Sequence, residues 1–460
     1  APAIVALCFI RYRSQNSRRT AVRHTWITDP MLKISIVIPT RNRALYLKHC
    51  IETCLSTDDT HIEVIVSDNN STDDTHTIPA LFPDPRLHYY HTGADLSMRQ
   101  NFEFALSKAS GDYIFFIGDD DGILKNGLST LRKVLEKYRP DIVNWRHITY
   151  KWPNESRDSI LKFRYRDFFG PLYSRAPGKV LEEFCQAKLT SFRDAAHIYH
   201  GAVARHIVEK IKQKSGGYFL GHIPDVYTAL ANLVVADSFL WIRSPVSIGG
   251  ESPKSNGAAA AAAQKRTQEQ QAINQSFVSL AASDLITPET DLRLRSIPAY
   301  VYACLIRVNK LIADNRLDID HAAWRNVLLA ESKNVAPELR LEQTRLLHIL
   351  FEEADPSYTA PSQSLPASQS AVEAPEPLHT RTPAENSRTD SPVRKKMRGL
   401  RPDLSTVEEA RQWIDNVMGA SYLPQKNVFG ALLLQMRHAA GMKCRIRKLS
   451  KKSNLDKIAS

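Results

Sequence analysis

A run of apolar residues that stops at three consecutive aspartates limits the folds that this chain can adopt. The run, Tyr113 to Ile117, is rich in β-branched and aromatic residues and is flanked by glycines. Such a pattern is typical of an interior strand in a sheet that is covered on both faces. The carboxylates of Asp119, Asp120 and Asp121 repel one another unless a cation lies between them. A divalent ion with oxygen ligands is the cation that the pattern favours, and a solvated acidic turn is the alternative.

From Leu32 onward the sequence alternates short apolar runs with segments whose apolar residues recur at helical spacing. Because strands that alternate with helices are joined by right-handed crossovers, this order predicts an α/β fold with a mostly parallel sheet flanked by helices. The predicted strands are 32–38, 62–66, 88–91, 113–117, 142–145 and 239–242, and the predicted helices are 44–55, 98–107 and 126–138, with a further helix from Ala202.

Polar clusters follow three of the predicted strands. They have the sequences PTRNR at 39–43, SDNNSTDD at 67–74 and GDDDG at 118–122. Ligands of parallel α/β sheets bind beyond the carboxyl ends of the strands. We therefore expect the three clusters to form one site at one edge of the sheet.

Charge and cysteine content set limits on partners and compartment. The net charge of +12 indicates an anionic partner. No apolar run approaches the roughly 18 residues of a membrane-spanning helix, and no signal peptide is recognisable. The six cysteines form no CxxC pair, so we expect reduced thiols in a cytoplasmic protein rather than disulfides or zinc ligands.

Four segments resemble the family 2 glycosyltransferases, which have the Rossmann-like GT-A fold. They are SIVIPTRNR at 35–43, VSDNNSTDDT at 66–75, MRQNFEFALSKASGDYIFFIGDDD at 98–121 and the segment around Asp225. The resemblance covers about residues 31–257 and implies a nucleotide-sugar-binding GT-A domain. The family commonly has D-x-D-D where this chain has Gly118-Asp119-Asp120-Asp121, so the first carboxylate is absent here.

The resemblance implies a role for each polar cluster. Asp68 is placed like the family's base-recognition aspartate, whose carboxylate accepts a hydrogen bond from a uracil imide. Asp120 and Asp121 correspond to the metal-binding aspartates and imply Mn²⁺ or Mg²⁺, with Asp119 as a further candidate. The implied nucleotide-sugar site consists of Pro39, Thr40, Arg41, Asn42, Asp68, Asn70, Arg99, Asn101, Asp119 and Asp120.

Several polar residues also have a purely structural interpretation. Asn70, Ser71 and Asp73 are of the types that favour turns and helix caps, and capping is the expected role of Asp73. His197 and His200 are expected to be capping or core histidines rather than ligands.

The sequence GHIPDVY at 221–227 opens an amphipathic helix. In family 2 enzymes the catalytic base is an aspartate at a comparable place, so the resemblance implies this role for Asp225. A first-turn helix acid is the alternative, in which case Glu251 is a possible base. The segment Val246 to Gly257 that follows is predicted to be a mobile loop over the diphosphate, with a plain surface loop as the alternative.

The chain divides into five predicted parts. Residues 1–30 have no clear role, residues 31–257 form the GT-A domain, and 258–355 form a helical accessory region. Residues 356–400 have the composition of a disordered linker. Residues 401–460 form a helical piece whose start is predicted at Ser405, with Glu408 at capping-box distance, and a basic tail.

The resemblance implies an inverting glycosyltransferase that uses a nucleotide-diphospho sugar, most simply a UDP-sugar, in bacterial polysaccharide or glycolipid synthesis. The acceptor would be a carbohydrate or a lipid-linked glycan. A sugar-nucleotide pyrophosphorylase and a catalytically inactive sugar- or nucleotide-binding protein are the alternatives. The basic tail, with seven Lys or Arg from Arg437 to Lys452, suits peripheral binding to the anionic inner face of a membrane. Nucleic acid is not expected as a partner, because no aromatic stacking residues accompany these charges.

Overall fold

The computed structural model describes residues 31–154, 158–162, 172–255, 268–284, 294, 296–333, 335, 337–360 and 404–418. Its strands are β1 (Ile34–Thr40), β2 (Ile62–Asp68), β3 (Leu87–His91), β4 (Tyr113–Phe116), β5 (Gly122–Ile123), β6 (Ile142–Trp145), β7 (Ile148–Lys151), β8 (Ile160–Lys162), β9 (Tyr173–Arg175), β10 (Gly201–Ala204), β11 (Phe239–Ile242) and β12 (Ser247–Glu251). Its helices are α1 (Ala44–Leu55), α2 (Met98–Lys108), α3 (Lys125–Tyr138), α4 (Pro177–Cys185), α5 (Arg205–Ser215), α6 (Pro224–Val235), α7 (Gln268–Ala282), α8 (Ile297–Leu311), α9 (His321–Ser332), α10 (Pro337–Ala354) and α11 (Val407–Met418). Two 3₁₀ helices span Asp74–Leu81 and Phe192–Asp194.

An eight-stranded sheet in the order β3-β2-β1-β4-β10-β6-β11-β9 forms the centre of the fold. Strands β3, β2, β1 and β4 are mutually parallel, and β6 and β11 are parallel to each other. Strands β10 and β9 pair antiparallel with their neighbours, so most strands run in one direction. The predicted α/β fold with a mostly parallel sheet flanked by helices is confirmed. A second sheet has the order β5-β12-β7-β8.

The parallel half of the sheet follows from its apolar strands. Every residue of β2 and β4 is buried, as expected for strands covered on both faces. Helix α2 begins with a capping box, in which the Ser97 side chain accepts a hydrogen bond from the Gln100 amide and the Gln100 side chain binds the Ser97 amide. The predicted bounds of α1 and of the strands at 142–145 and 239–242 are those of the structure.

Two local predictions were wrong. The predicted helix from Ala202 is strand β10, and the helix after it begins at Arg205. Short apolar runs fit both kinds of element, and here the small residue Gly201 fits beside Asn144: a Cβ on Gly201 would lie 2.5 Å from its Nδ2 atom. The predicted loop from Val246 contains strand β12, which pairs with β5 and β7.

The later helices contribute to the packing of the sheet domain. Tyr300 and Tyr302 of α8 are fully buried in the same hydrophobic core as Tyr227 of α6. Helix α11 packs on another face, where its Val407 shares a smaller apolar cluster with Tyr46 and Tyr150. The predicted domain boundaries stay predictions, and most of the predicted linker lies outside the described residues.

The start of α11 differs by one residue from its prediction. Its cap is formed by Thr406, whose hydroxyl accepts from the Glu409 amide, while the Glu409 carboxylate accepts from the Thr406 amide. The STVE pattern therefore predicts the helix correctly, but the capping pair is Thr406 and Glu409 rather than Ser405 and Glu408.

Two other expectations concern the part of the chain that the structure describes. There, Cys50, Cys54, Cys185 and Cys304 are buried and are not joined by disulfides, and the expectation of reduced thiols stays a prediction. In the described part of the chain, no helix is both long enough and apolar enough to cross a membrane.

Candidate active site

The three polar clusters meet at the carboxyl edge of the parallel strands, as predicted. Thr40 at the end of β1 pairs with Asp68 at the end of β2, and the Asn69 amide donates to the Thr40 carbonyl at 2.9 Å. The Thr40 hydroxyl donates to Asp119 Oδ2 at 2.6 Å, which joins the first cluster to the third. The acidic residues are buried in this arrangement: Asp119, Asp120 and Asp121 are 2%, 4% and 1% exposed.

The cation between the first two aspartates is the Arg43 guanidinium. Its Nε atom lies 3.0 Å from Asp119 Oδ1, and its Nη2 atom lies 2.7 Å from Asp120 Oδ2. The same Nη2 atom donates to Ser252 Oγ at 2.6 Å, and the Ser252 amide donates to Asp120 Oδ2 at 3.0 Å. Arg43 therefore joins the loop after β1, the acidic motif and the residue after β12.

The third aspartate is held by a different set of donors. The amides of Gly118 and Gly250 each donate to an Asp121 carboxylate oxygen at 2.6 Å. The Tyr199 hydroxyl donates to Oδ2 at 2.8 Å, and His200 Nε2 lies 3.3 Å from the same oxygen. Gly250 must be glycine here, because a Cβ would lie 1.8 Å from the Asp120 carbonyl oxygen.

Burial and mutual repulsion set the protonation of this cluster. Burial raises the pKa of Asp119 to about 6, although the Arg43 charge opposes the shift. Burial and the Asp120 charge raise the pKa of Asp121 well above its usual range. Burial lowers the pKa of Arg43, but the charges of Asp119 and Asp120 outweigh this effect and raise it overall, so Arg43 stays a cation.

The donor set around the acidic motif does not fit a divalent ion in this arrangement. The carboxylates of Asp119 and Asp120 pair with Arg43, and Asp121 accepts hydrogen bonds from protein groups. Within the described residues, no group of three or more His, Cys, Asp or Glu side chains is arranged to hold a metal ion. An ion at Asp120 and Asp121 would have to displace Arg43 or Asp121's own donors. The predicted Mn²⁺ or Mg²⁺ site stays a prediction.

The predicted base-recognition aspartate is completely covered. Asp68 is 0% exposed, and its carboxylate accepts from the Ser71 amide at 2.9 Å and from the Tyr89 hydroxyl at 2.7 Å. Asn101 is buried below it and accepts from the Ser67 hydroxyl at 2.6 Å. Both side chains therefore fix the end of β2 to its neighbours. The base contact of Asp68 and the nucleotide-sugar contact of Asn101 stay predictions.

The loops after β1 and β2 are joined by their own side chains. Asn42 and Asn70 both adopt the left-handed conformation, with φ of 55° and 53°, which asparagine tolerates well. The Thr72 amide donates to Asn42 Oδ1 at 2.7 Å. Arg41 and Asn70 both bind the Asp95 carboxylate at 2.8 Å, so a third loop joins them. Pro39 is part-buried beside these contacts.

Arg41 has one nitrogen that is not used in this network. Its Nη1 atom is buried and has no hydrogen-bond partner among the described residues.

Asp73 caps the first 3₁₀ helix by accepting from the Thr75 amide, so its predicted capping role is confirmed.

Arg99 has an internal partner that the sequence did not reveal. Its Nη2 atom lies 2.9 Å from Asp284 Oδ1, and its Nε atom lies 2.5 Å from Oδ2 of the same carboxylate. Asp284 is 2% exposed and also accepts from the Ser97 hydroxyl at 2.8 Å. The predicted role of Arg99 at the sugar or diphosphate stays untested, since this ion pair occupies its guanidinium.

Asp225 lies in the first turn of α6, directly after Pro224, and is part-buried. Burial raises its pKa to about 6, and the amides of Asp225 and Val226 oppose this shift. No ion pair to its carboxylate occurs within the described residues. Its position suits both a general base and a first-turn helix acid.

Sequence reasoning missed Arg43, Tyr199, Gly250 and Ser252 as parts of the acidic site. Arg43 lies in the PTRNR segment, and the cation expected between the carboxylates is the signal that could have identified it. Tyr199, Gly250 and Ser252 are distant in sequence, and only strand pairing brings them to Asp120 and Asp121. His200 is a buried histidine, as predicted, and its Nδ1 atom lies 2.8 Å from Ser247 Oγ.

Residues 35–198 match the protein-family model described as glycosyl transferase family 2, which confirms the resemblance over this segment. The GalNAc(5)-diNAcBac-PP-undecaprenol beta-1,3-glucosyltransferase of Campylobacter jejuni is 36% identical over 112 residues, which are 24% of this chain and 36% of that protein. The abequosyltransferase RfbV of Salmonella typhimurium is 32% identical over 111 residues, or 22% of this chain and 32% of that protein. The chain thus spans about a third of the length of these relatives.

Among solved structures, residues 1–349 of S. aureus TarS in complex with UDP are similar at a TM-score of 0.42 and 14% identity. The match covers 71% of this chain and 81% of that one. A score of this size supports no conclusion about function.

Proposed function

Because residues 35–198 belong to glycosyl transferase family 2, we propose that the protein moves a sugar from a nucleotide-diphospho sugar to an acceptor hydroxyl, with inversion at the anomeric carbon. The observation that carries this proposal is the meeting of three polar loops of that segment at the carboxyl edge of the sheet, where Thr40 bonds to Asp119. Parallel α/β sheets bind their ligands at this edge. The names of the two relatives are those of sugar transferases, which supports the same reaction class.

Asp225 is the proposed general base. It takes the proton of the acceptor hydroxyl while that oxygen forms a bond to the anomeric carbon. The bond from this carbon to the diphosphate oxygen breaks, and the nucleoside diphosphate leaves with the electron pair. A pKa of about 6 keeps the carboxylate ionised at neutral pH and still basic enough to accept a proton. No step is assigned to a divalent ion, since the Arg43 guanidinium pairs with the carboxylates of both Asp119 and Asp120.

The proposed donor is a UDP-sugar, and the Asp68 carboxylate is proposed to accept a hydrogen bond from its uracil ring. A carboxylate oxygen can accept more than one hydrogen bond, so the contact from Tyr89 does not exhaust Asp68. The uracil ring can reach the Asp68 carboxylate only if Tyr89 or the loop at Ser71 moves, because this carboxylate is completely buried. Pro39, Thr40 and Arg41 lie beside this position and are the proposed contacts to ribose and phosphates.

The proposed acceptor is a carbohydrate or a lipid-linked glycan. The name of the Campylobacter relative gives an undecaprenol-linked glycan, which supports the lipid-linked form. The basic tail from Arg437, which lies outside the described residues, is proposed to bring the protein to an anionic membrane surface.

The test uses the full chain with UDP-, GDP- and dTDP-sugars, and measures release of nucleoside diphosphate with and without acceptor and with and without EDTA. We expect acceptor-dependent release with one nucleotide class. Thermal stabilisation by a sugar nucleotide without turnover would instead identify a binding protein. Pyrophosphate-dependent formation of a nucleoside triphosphate would identify a pyrophosphorylase, and either result would refute the proposal.

A further inference from the structure

The Arg43 side chain is largely buried against the acidic motif. Its side chain is 15% exposed, while those of Asp119 and Asp120 are 3% and 6% exposed. The guanidinium carbon also lies 5.3 Å from the centroid of the Tyr46 ring. The Nη2 atom thus contacts Asp120 and the Ser252 hydroxyl, and the Tyr46 ring lies beside the guanidinium. The Nε atom forms an ion pair with Asp119 at 3.0 Å but makes no hydrogen bond to any described residue.

This position is also where a divalent ion shared by Asp119 and Asp120 would have to bind. Mg²⁺ needs oxygen ligands at about 2.0–2.1 Å in near-octahedral geometry. The oxygens that face the gap between these aspartates are Asp119 Oδ1 and Asp120 Oδ2, and both are within 3.0 Å of Arg43 nitrogens. An ion and the guanidinium cannot occupy this gap together, because their charges repel and their volumes overlap.

Neighbouring hydrogen bonds to the two carboxylates favour pairing with Arg43 over binding of a divalent ion. Asp120 Oδ2 also accepts from the Ser252 amide, and Asp119 Oδ2 accepts from the Thr40 hydroxyl. A divalent ion would have to break the two ion pairs and leave the guanidinium without its partners. Leaving one member of a buried ion pair unpaired is strongly destabilising.

We propose that Arg43 is the resident counter-ion of the acidic motif and that it excludes divalent ions from Asp119 and Asp120. The wild-type protein then has no high-affinity Mn²⁺ site at this motif, and removing the Arg43 charge creates one. This inference goes beyond the proposed function, and its test requires no sugar transfer, so either can fail without the other.

The experiment is a Mn²⁺ titration of the substrate-free full chain, followed by the electron paramagnetic resonance signal of free Mn²⁺. Arg43→Gln removes the charge, Arg43→Lys keeps it, and Arg41→Gln removes the neighbouring charge that pairs with Asp95 instead. We expect about one Mn²⁺ per Arg43→Gln chain, bound at least about tenfold more tightly than by wild type, Arg43→Lys or Arg41→Gln. Adding Asp120→Asn to Arg43→Gln should remove the gain. Because Mn²⁺ would bind the folded state, it should also raise the melting temperature of Arg43→Gln.

Two results would overturn the inference. One is that wild type binds one Mn²⁺ as tightly as Arg43→Gln, with binding lost in Asp120→Asn. The other is that Arg43→Gln folds but gains no Mn²⁺ site. If Arg43→Gln does not fold, wild type and Arg43→Lys decide: saturable binding that depends on Asp120 refutes the inference, and its absence from both supports it.

Discussion

Replacing Asp225 by Asn separates the two roles of this residue because they predict opposite effects on stability. The substitution keeps the shape of the side chain and removes its charge. If burial dominates, the ionised carboxylate destabilises the folded protein and the neutral amide relieves this cost. If the interaction with the helix start dominates, losing the charge costs about 0.3–1 kcal/mol.

The magnitude follows from the pKa shift. Burial raises the pKa of Asp225 from 3.8 to about 6, and each pKa unit corresponds to about 1.36 kcal/mol. The folded state therefore binds the proton more tightly than the unfolded state does. This contribution to stability is fully present below pH 4 and is lost as pH rises through about 6. Above pH 7, Asp225→Asn should thus be more stable than wild type by up to about 3 kcal/mol, an upper limit because Asp225 is only part-buried.

Two measurements on the same preparations test this reasoning. Urea unfolding at pH 4 and pH 8 should show a gain in the free energy of unfolding at pH 8 that is absent at pH 4. Turnover should fall by at least about 10²-fold, and wild-type activity should decline as pH falls through about 6. Asp237→Asn is the matched control, since Asp237 follows the same helix but is exposed, and neither quantity should change.

A variant that is less stable at pH 8 and keeps turnover within a few-fold of wild type would refute both parts of the argument. Asp225 would then be a helix-start acid, and Glu251 would be the next residue to test. Reduced turnover without a change in stability would be consistent with Asp225 as the base but would show that burial does not destabilise its ionised form.

Three further predictions concern other parts of the chain. Burial raises the pKa of Glu63, but hydrogen bonds from Lys33, Ser35 and Ser110 lower it overall from 4.5 to about 2. Glu63→Gln should therefore cost up to about 3 kcal/mol above pH 5, a loss that shrinks as pH falls from 4.5 towards 2, in urea unfolding curves. Asp284→Ala, which leaves Arg99 buried without its carboxylate, should cost about 3–5 kcal/mol by the same measurement, and a loss below about 1 kcal/mol would contradict a structural role for this pair. Deleting residues 437–460 should abolish salt-sensitive flotation with anionic vesicles but retain activity on a soluble acceptor, and equal binding to neutral vesicles would reject the membrane proposal.

The parallel half of the sheet, and the edge at which the site lies, could be predicted from the amino-acid sequence alone. The apolar runs at 34–38 and 113–116 consist mostly of β-branched and aromatic residues, which favour strands over helices. Since the polar clusters follow these strands directly, parallel pairing alone brings Thr40, Asp68 and Asp119 to one edge. The family resemblance rests on these same local segments, and residues 35–198 match the family model.

Which cation pairs with the aspartates, and which donors bind them, depends on contacts between residues that are distant in sequence. Local pattern cannot distinguish strand β10 from a helix, because both accept a short apolar run and only its place between β4 and β6 selects the strand. The contacts from Tyr199, Gly250 and Ser252 depend on that strand and on β12, so they are invisible to local reasoning. The repulsion between neighbouring carboxylates required a cation, but the buried geometry gives that place to Arg43. The sequence shows that the adjacent carboxylates need a nearby cation. Which group lies close enough to provide that charge depends on distances that are set only by folding.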